Sequence, residues 1–282
     1  MNGRTPTDGR ACYVYGIVPA DADTSGLEGI GDPPAPVRPL RHRGLAALVS
    51  EVVVDGPLGT AADLRGHARV LDTLAARGAV LPLRFGAVVR DAEAVTDELL
   101  APNEEAFLDA LQELRDTAQF TLRATYRQER VLREVLADRE DIAGLREEVA
   151  ALPEEATYYQ RVRLGELIAG EIAARRESDT ADALERLSPL AVAVRAASAA
   201  DAAGDQAVSA SFLVAKTSWT AFEAAAEELA RDWAERTTMR LLGPLAPYDF
   251  ASDAVDAVDA VADSRPSGAG ARSAERGDSS WA

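Results

Sequence analysis

Residues 118–127, Ala-Gln-Phe-Thr-Leu-Arg-Ala-Thr-Tyr-Arg, alternate apolar and polar side chains. One set of alternate positions holds Phe120, Leu122, Ala124 and Tyr126, and the other holds Thr121, Arg123 and Thr125. Successive side chains of a β-strand point to opposite faces, so this pattern predicts a half-buried strand. A chain with such a strand has to build a sheet whose apolar face is covered by other elements.

The elements that follow this strand predict the architecture of the second half. A helical region and three strands are expected at residues 127–187, 190–197, 207–215 and 238–243. Ser218 is expected to cap a further helix that runs to about residue 236. The resulting order, β-helices-β-β-helix-β, is the ferredoxin-like βαββαβ order with extra helix in the first crossover. It predicts a C-terminal α+β domain over residues 116–250.

Two helices of this half have apolar stripes that predict their buried faces. The third helix of the helical region carries Tyr158, Val162, Ile168 and Ile172 along one stripe, completed by Gly165. The helix after Ser218 carries Phe222, Ala226, Leu229 and Trp233.

The first half also mixes strands and helices, and it predicts a separate N-terminal α+β domain over residues 11–115. Strands are expected at residues 12–18, 45–54 and 80–89, with a long surface connection over 19–39. A helix with a stripe that includes Leu64, His67, Leu71 and Leu74 begins near Asp63 and ends at Gly78. Asp91 is expected to cap the next helix, and another runs over 103–115. The fold class is therefore α+β with two domains.

Both ends of the chain are poor in side chains that could form a core. Residues 1–10 are predicted to be disordered, and so is an acidic tail over 251–282, where Asp and Val recur every three residues before a stretch low in apolar side chains. Such segments bury too little surface to offset their conformational entropy. A partner-binding role for the tail is the alternative.

Charge and cysteine content limit the environment and the partners. The net charge of −17 disfavours binding to nucleic acid and to anionic membrane lipid. Cys12 is the only cysteine, which rules out an internal disulfide and favours a reducing compartment. The first ten residues have no apolar run of a signal peptide, and no stretch approaches the length of a membrane span. We therefore expect a cytoplasmic protein.

The residues that carry chemistry do not form a recognisable active site. Only His42, His67 and Cys12 could serve as soft metal ligands, so we expect no structural zinc site. His67 lies on an apolar helix face and is interpreted as a hydrogen-bonded core histidine. The glycines of residues 26–32 resemble a phosphate loop, but two prolines follow them in place of a helix N-terminus. We expect no catalytic residue, no cofactor and no metal.

Two segments are candidates for a partner interface. The first is residues 81–86, Leu-Pro-Leu-Arg-Phe-Gly, where Arg84 beside Phe85 interrupts an apolar strand. The second is the chain's closing motif, residues 243–250, whose candidate residues are Gly243, Pro244, Pro247, Tyr248 and Phe250. Its prolines are expected to stop the last strand at residue 243. The two aromatic rings could then either cover the core of the C-terminal domain or be held out for a partner.

Several segments together resemble the gas vesicle protein F/L family. They are residues 13–18, 45–52, His67 ahead of 80–86, 158–168, 211–223 and the closing motif Gly-Pro-Leu-Ala-Pro-Tyr-Asp-Phe at 243–250. The resemblance covers about residues 11–250. Leu245 stands where the family prefers tryptophan, Ala246 replaces a proline and Asp249 replaces a serine.

The resemblance implies a two-domain α+β protein without known catalysis that serves gas vesicle assembly. Its expected partners are the hydrophobic shell protein and other accessory proteins, and its expected location is the cytoplasm and the gas vesicle. We expect the N-terminal half, with Arg84, to contact the shell protein. Two other interpretations stay open: a small-molecule-binding regulatory protein that uses its ferredoxin-like domain, and an enzyme with a carboxylate site that the linear sequence does not reveal.

Overall fold

The structure, a computed structural model, describes residues 10–53, 59–153, 156–197 and 204–251. Apart from Arg10 and Ala251, the predicted disordered ends lie outside these ranges. Arg10 begins the first strand, and Ala251 is buried in the core, so each of these two residues belongs to the folded region. The described chain is a mixed α/β fold with two antiparallel sheets.

The first sheet comes from the first half of the chain. Its strands are β1 (Arg10–Pro19), β2 (Arg38–His42), β3 (Leu45–Val53), β4 (Leu81–Pro82) and β5 (Val88–Val89). The order is β2-β3-β1, and β4 and β5 both pair with β1. The helices of this half are α1 (Ala61–Arg77), the short α2 (Ala92–Ala94), which continues into a π-helical turn (Val95–Leu100), and α3 (Glu104–Glu113).

Local signals explain where α1 begins and ends. Thr60 and Asp63 form a capping box, and the N–H of Gly78 bonds to the carbonyl of Leu74. His67, Leu71 and Leu74 are buried as the spacing predicts, whereas Leu64 is exposed and does not belong to the buried face. The predicted cap of α2 is also confirmed, because the Asp91 carboxylate accepts from the Ala94 N–H at 2.7 Å.

Two predictions for the first sheet are wrong. The connection predicted over residues 19–39 ends in the strand β2, for which no strand was predicted, because β2 is half-exposed and has a single leucine between polar residues and a proline. Residues 80–89, predicted as one strand, form the two short strands β4 and β5 with a turn between them. Gly86 has φ +96°, a conformation that suits a turn and not a strand.

The second sheet comes from the second half. Its strands are β6 (Thr117–Tyr126), β7 (Ala193–Ala196), β8 (Gln206–Ala215) and β9 (Thr237–Leu245), in the antiparallel order β7-β8-β6-β9. The helices are α4 (Gln128–Asp138), α5 (Glu140–Ala151), α6 (Tyr158–Leu187) and α7 (Trp219–Asp232). The alternation in β6 is confirmed, because its apolar set lies in the core beneath these helices. Its polar set belongs to the opposite face, which we call the open face.

Three details of the second half differ from expectation. Ser218 precedes α7, but its side chain makes no capping bond. Tyr158 and Val162 are exposed, because α6 has 30 residues and its first turns lie outside the core. β9 continues past Gly243 to Leu245. This edge strand tolerates Pro244 at a register shift opposite Gln119 and Thr121, where no backbone donor is required.

The two halves share apolar side chains. Leu213 and Phe250 join the core on one face of the first sheet, and Ala118 and Ala246 join the core on its other face, beneath α1. The second half thus completes both cores of the first.

Candidate partner-binding surface

The first candidate segment forms the turn between β4 and β5. Arg84 is exposed on this turn, outside any strand. Phe85 is half-buried and packs against Tyr13 of β1 and His67 of α1, with ring centroids 5.9 and 5.6 Å apart. The turn therefore presents a cation outward while its aromatic ring anchors it to the fold.

A chain of hydrogen bonds fixes the same turn. The Gly86 N–H donates to Tyr13 Oη at 3.2 Å, and Tyr13 Oη lies 2.9 Å from His67 Nδ1. His67 Nε2 lies 3.1 Å from the carbonyl oxygen of Leu83, which can only accept. The network assigns the imidazole proton to Nε2, so that Nδ1 accepts from the tyrosine hydroxyl.

The environment of His67 keeps it uncharged. Burial lowers its pKa to about 4, because the charged imidazolium would lose its hydration. Both ring nitrogens are already occupied, and the side chain is 3% exposed. The interpretation of His67 as a hydrogen-bonded core histidine is confirmed.

The second candidate segment, residues 243–250, begins at a close contact between β9 and the core. A Cβ atom on Gly243 would lie 2.8 Å from Cγ and Cε1 of Phe120, so only glycine fits here. Beyond β9, Ala246 and Pro247 are buried. The Ala246 N–H donates to Asp72 Oδ1 at 2.9 Å, which fastens the segment to α1 of the first half.

The rings of this segment lie on the first half. Tyr248 is 37% exposed and its ring centroid is 6.4 Å from that of His67. Burial of its hydroxyl, followed by the negative charge of Asp72, raises the pKa of Tyr248. Phe250 packs into the core of the first sheet, and the Arg195 guanidinium carbon lies 5.9 Å from its ring centroid. Of the two alternatives for these rings, a cover over the core of the C-terminal domain is wrong, because the rings pack on the first half.

The structure brings some of the predicted interface residues together and separates others. Phe85 and Tyr248, which are 163 positions apart, both contact His67. Gly243 and Pro244 lie on β9 at the edge of the second sheet, whereas Phe250 lies in the first core. Of the predicted residues in different segments, Phe85 and Tyr248 are brought together by their shared contact with His67.

An exposed aromatic pair was not predicted as an interface. Tyr158 and Tyr159, at the start of α6, are 67% and 83% exposed, and their rings meet edge to face at 5.5 Å. Val162 adds exposed apolar surface one turn later. Consecutive helical residues point in directions about 100° apart, so only a wide apolar stripe buries two adjacent tyrosines, and the neighbouring residues Gln160, Arg161 and Arg163 are polar. That was the signal available in the sequence.

The residues that the structure describes contain neither a metal-binding cluster nor a membrane-spanning helix. Those residues contain no cluster of three or more His, Cys, Asp or Glu side chains able to hold a metal ion. No helix among them is both long enough and apolar enough to span a bilayer. Cys12 is a buried free thiol whose pKa is raised by burial.

The fold and surface together define a mixed α/β protein with two antiparallel sheets and partly exposed aromatic residues at two places. Residues 11–252 match the family described as gas vesicle synthesis protein GvpL/GvpF, and the chain belongs to that family.

Similar proteins agree with this assignment. Gas vesicle protein F of Streptomyces sp. (strain CB03234) is 37% identical over 240 residues, which cover 84% of this chain and 98% of the relative. Gas vesicle protein F of Nostoc sp. (strain PCC 7120 / SAG 25.82 / UTEX 2576) is 26% identical over 242 residues, with 85% and 97% covered. The crystal structure of gas vesicle protein GvpF from Anabaena sp. PCC7120 has a TM-score of 0.73 at 25% identity and covers 86% of this chain and 98% of that one.

Proposed function

We propose that this protein is a non-enzymatic accessory factor for gas vesicle assembly. It binds the hydrophobic shell protein and other accessory proteins in the cytoplasm and at the growing vesicle. The observation that carries the proposal is membership of the gas vesicle synthesis family over residues 11–252.

Surface charge and exposed aromatic residues support a binding role. A very apolar subunit needs its surface covered until it joins the shell, and a carrier with a net charge of −17 keeps such a complex dispersed. Tyr158 and Tyr159 offer large exposed rings on α6, and Tyr248 offers a partly exposed ring beside the Arg84 turn. Aromatic and arginine side chains are the types enriched at protein interfaces.

The division into domains is part of the proposal. We assign residues 11–115 to an N-terminal α+β domain and 116–250 to a ferredoxin-like domain. The order β7-β8-β6-β9 and the helices between β6 and β7 and between β8 and β9 support the second assignment. Side chains shared between the cores argue for testing the complete chain and not isolated halves.

Co-purification of the full-length protein with the shell protein tests the proposed function. We expect the shell protein to be captured, and a strain lacking this protein to form fewer vesicles or none. Normal vesicles in that strain, together with no complex in the pull-down, would remove the proposal. Arg84→Ala is expected to weaken capture by about 1 kcal/mol, the size of a typical interface contribution. Arg115→Ala, which removes the same charge elsewhere, serves as the control.

A further inference from the structure

The open face of the second sheet forms a shallow cavity of about 520 Å³, which we call the polar bowl. Its lining includes Gln119, Thr121, Arg123, Arg195, Ser209 and Ser211. Cross-strand pairing arranges these residues in rows. Arg195 pairs with Ser211, which pairs with Thr121, and two residues along the sheet Ser209 pairs with Arg123. Directly paired residues share a face, so these polar groups converge on one surface.

Positive charge is concentrated on this face of an otherwise acidic protein. Arg123 lies directly opposite Arg240 of β9, and both are exposed. None of the ion pairs among the described residues includes Arg123, Arg195 or Arg240. Like charges placed directly opposite each other destabilise a sheet. A bound anion between them would relieve this repulsion.

The floor of the polar bowl carries hydrogen-bonding groups beneath these cations. Thr121 and Ser211 are buried, and their hydroxyl oxygens lie 3.2 Å apart. Among the described residues that line the bowl, Asp249 is the only acid, and the Gln119 amide already donates to its carboxylate at 2.7 Å. The bowl therefore offers guanidinium and hydroxyl donors, with its one carboxylate already engaged.

We propose that the polar bowl docks an extended, carboxylate-rich segment of a partner protein. Arg195 lies two strands from Arg123, a lateral separation of about 10 Å at ordinary strand spacing. Side chains at alternate positions of an extended segment are about 7 Å apart, so two carboxylates can each reach a different arginine. The arginine side chains of the lining favour an anionic segment over an apolar helix. The proposal goes beyond the binding of the shell protein and is independent of it.

Fluorescence anisotropy with full-length protein and a labelled peptide of alternating Asp and Ala tests this proposal. At low salt, about 50 mM NaCl, we expect saturable binding that is lost at about 0.5 M. The same peptide with Asn for Asp is expected to bind at least about tenfold more weakly, because it lacks charge-assisted hydrogen bonds. Equal binding of the two peptides would overturn the proposal.

Matched charge variants distinguish binding at the polar bowl from nonspecific binding elsewhere on the surface. Arg123→Gln with Arg240→Gln is expected to weaken binding about tenfold or more. The control, Arg65→Gln with Arg69→Gln, removes two exposed charges from α1 and is expected to change affinity less than about twofold. Equal losses in both double variants would show nonspecific attraction and overturn the proposal.

Two further measurements decide between this occupant and others. Competition by free glutarate at concentrations near that of the peptide would identify a small-molecule site and overturn the docking of a segment. The full-length variant Asp253→Asn, Asp256→Asn, Asp259→Asn, Asp263→Asn tests the chain's own tail. A gain in peptide affinity of about tenfold would assign the bowl to the tail. Unchanged affinity supports a separate partner.

Discussion

Gln119 and Asp249, 130 positions apart, are joined by two hydrogen bonds. Gln119 Nε2 donates to Asp249 Oδ2 at 2.7 Å, and the Asp249 N–H donates to Gln119 Oε1 at 3.1 Å. A single side chain on β6 thereby holds both the backbone and the side chain of the closing segment. Gln119 is buried whereas Asp249 is exposed, so these partly buried bonds tie the closing segment to the second sheet.

Removing this link is expected to loosen the closing segment. Gln119→Ala should reduce the free energy of unfolding by about 1–3 kcal/mol, because it removes two hydrogen bonds to Asp249, one of them to a charged carboxylate. Urea denaturation measures the loss, and hydrogen exchange should rise at Asp249 and Phe250. Gln112→Ala, on the exposed face of α3, is the control and should cost less than about 0.5 kcal/mol. Equal costs would contradict the assigned role of Gln119.

Gly243 is expected to be sensitive to the addition of one methyl group. Gly243→Ala would place its Cβ against the Phe120 ring and should destabilise the protein by about 2 kcal/mol through overpacking. Gly170→Ala on α6 meets no atom within 4 Å and should be neutral or stabilising by about 0.5 kcal/mol. Thermal denaturation of both variants checks the contrast, and similar melting temperatures would contradict it.

His67 should make stability depend on pH in a defined window. Its pKa is about 4 in the folded protein against an ordinary 6.5, so the unfolded chain binds a proton that the folded chain rejects. The contribution of uncharged His67 to the free energy of unfolding is complete above pH 6.5. It falls by roughly 3 kcal/mol in total as the pH is lowered toward 4. Denaturation across this range should show a flatter profile for His67→Gln than for the original protein. Parallel stability profiles for the two proteins would show that His67 is not the source of the pH dependence.

A buried carboxylate joins β6, α6 and the loop before β9. Asp179 accepts from Tyr126 Oη at 2.6 Å and from Arg236 Nη2 at 2.7 Å, and it is 4% exposed. Asp179→Ala should cost about 3 kcal/mol because the arginine is left without its partner. Glu228→Ala removes an exposed carboxylate 3.9 Å from Arg231 and should cost less than about 0.5 kcal/mol. Chemical denaturation compares the two.

The sequence predicts elements well where local periodicity and burial agree. From Phe120 to Tyr126, β6 alternates apolar and polar side chains because one of its faces is core and the other is polar, and α1 carries both its capping box and its apolar stripe within a few residues. The family resemblance is confirmed by the match to the gas vesicle synthesis family over residues 11–252.

The sequence is less informative where distant contacts decide the structure. The turn at Phe85 depends on hydrogen bonds among Gly86, Tyr13 and His67, which no local pattern encodes. β9 passes Gly243 because β6 continues to pair with it beyond a bulge. The position of Tyr248 depends on a helix that precedes it by more than 170 residues. Candidate interface residues could therefore be named individually, but their grouping could not be foreseen.

The anchoring of Ala246 to Asp72 also bears on how the polypeptide matures during synthesis. The amino-terminal half leaves the ribosome before Ala246, Phe250 and Ala251, which fill gaps in its two cores, have been translated. Until those last side chains emerge, the apolar side chains that they cover in the folded protein remain exposed to solvent and to other polypeptides. Final consolidation of the earliest-made portion therefore has to wait until these last core residues have been synthesised.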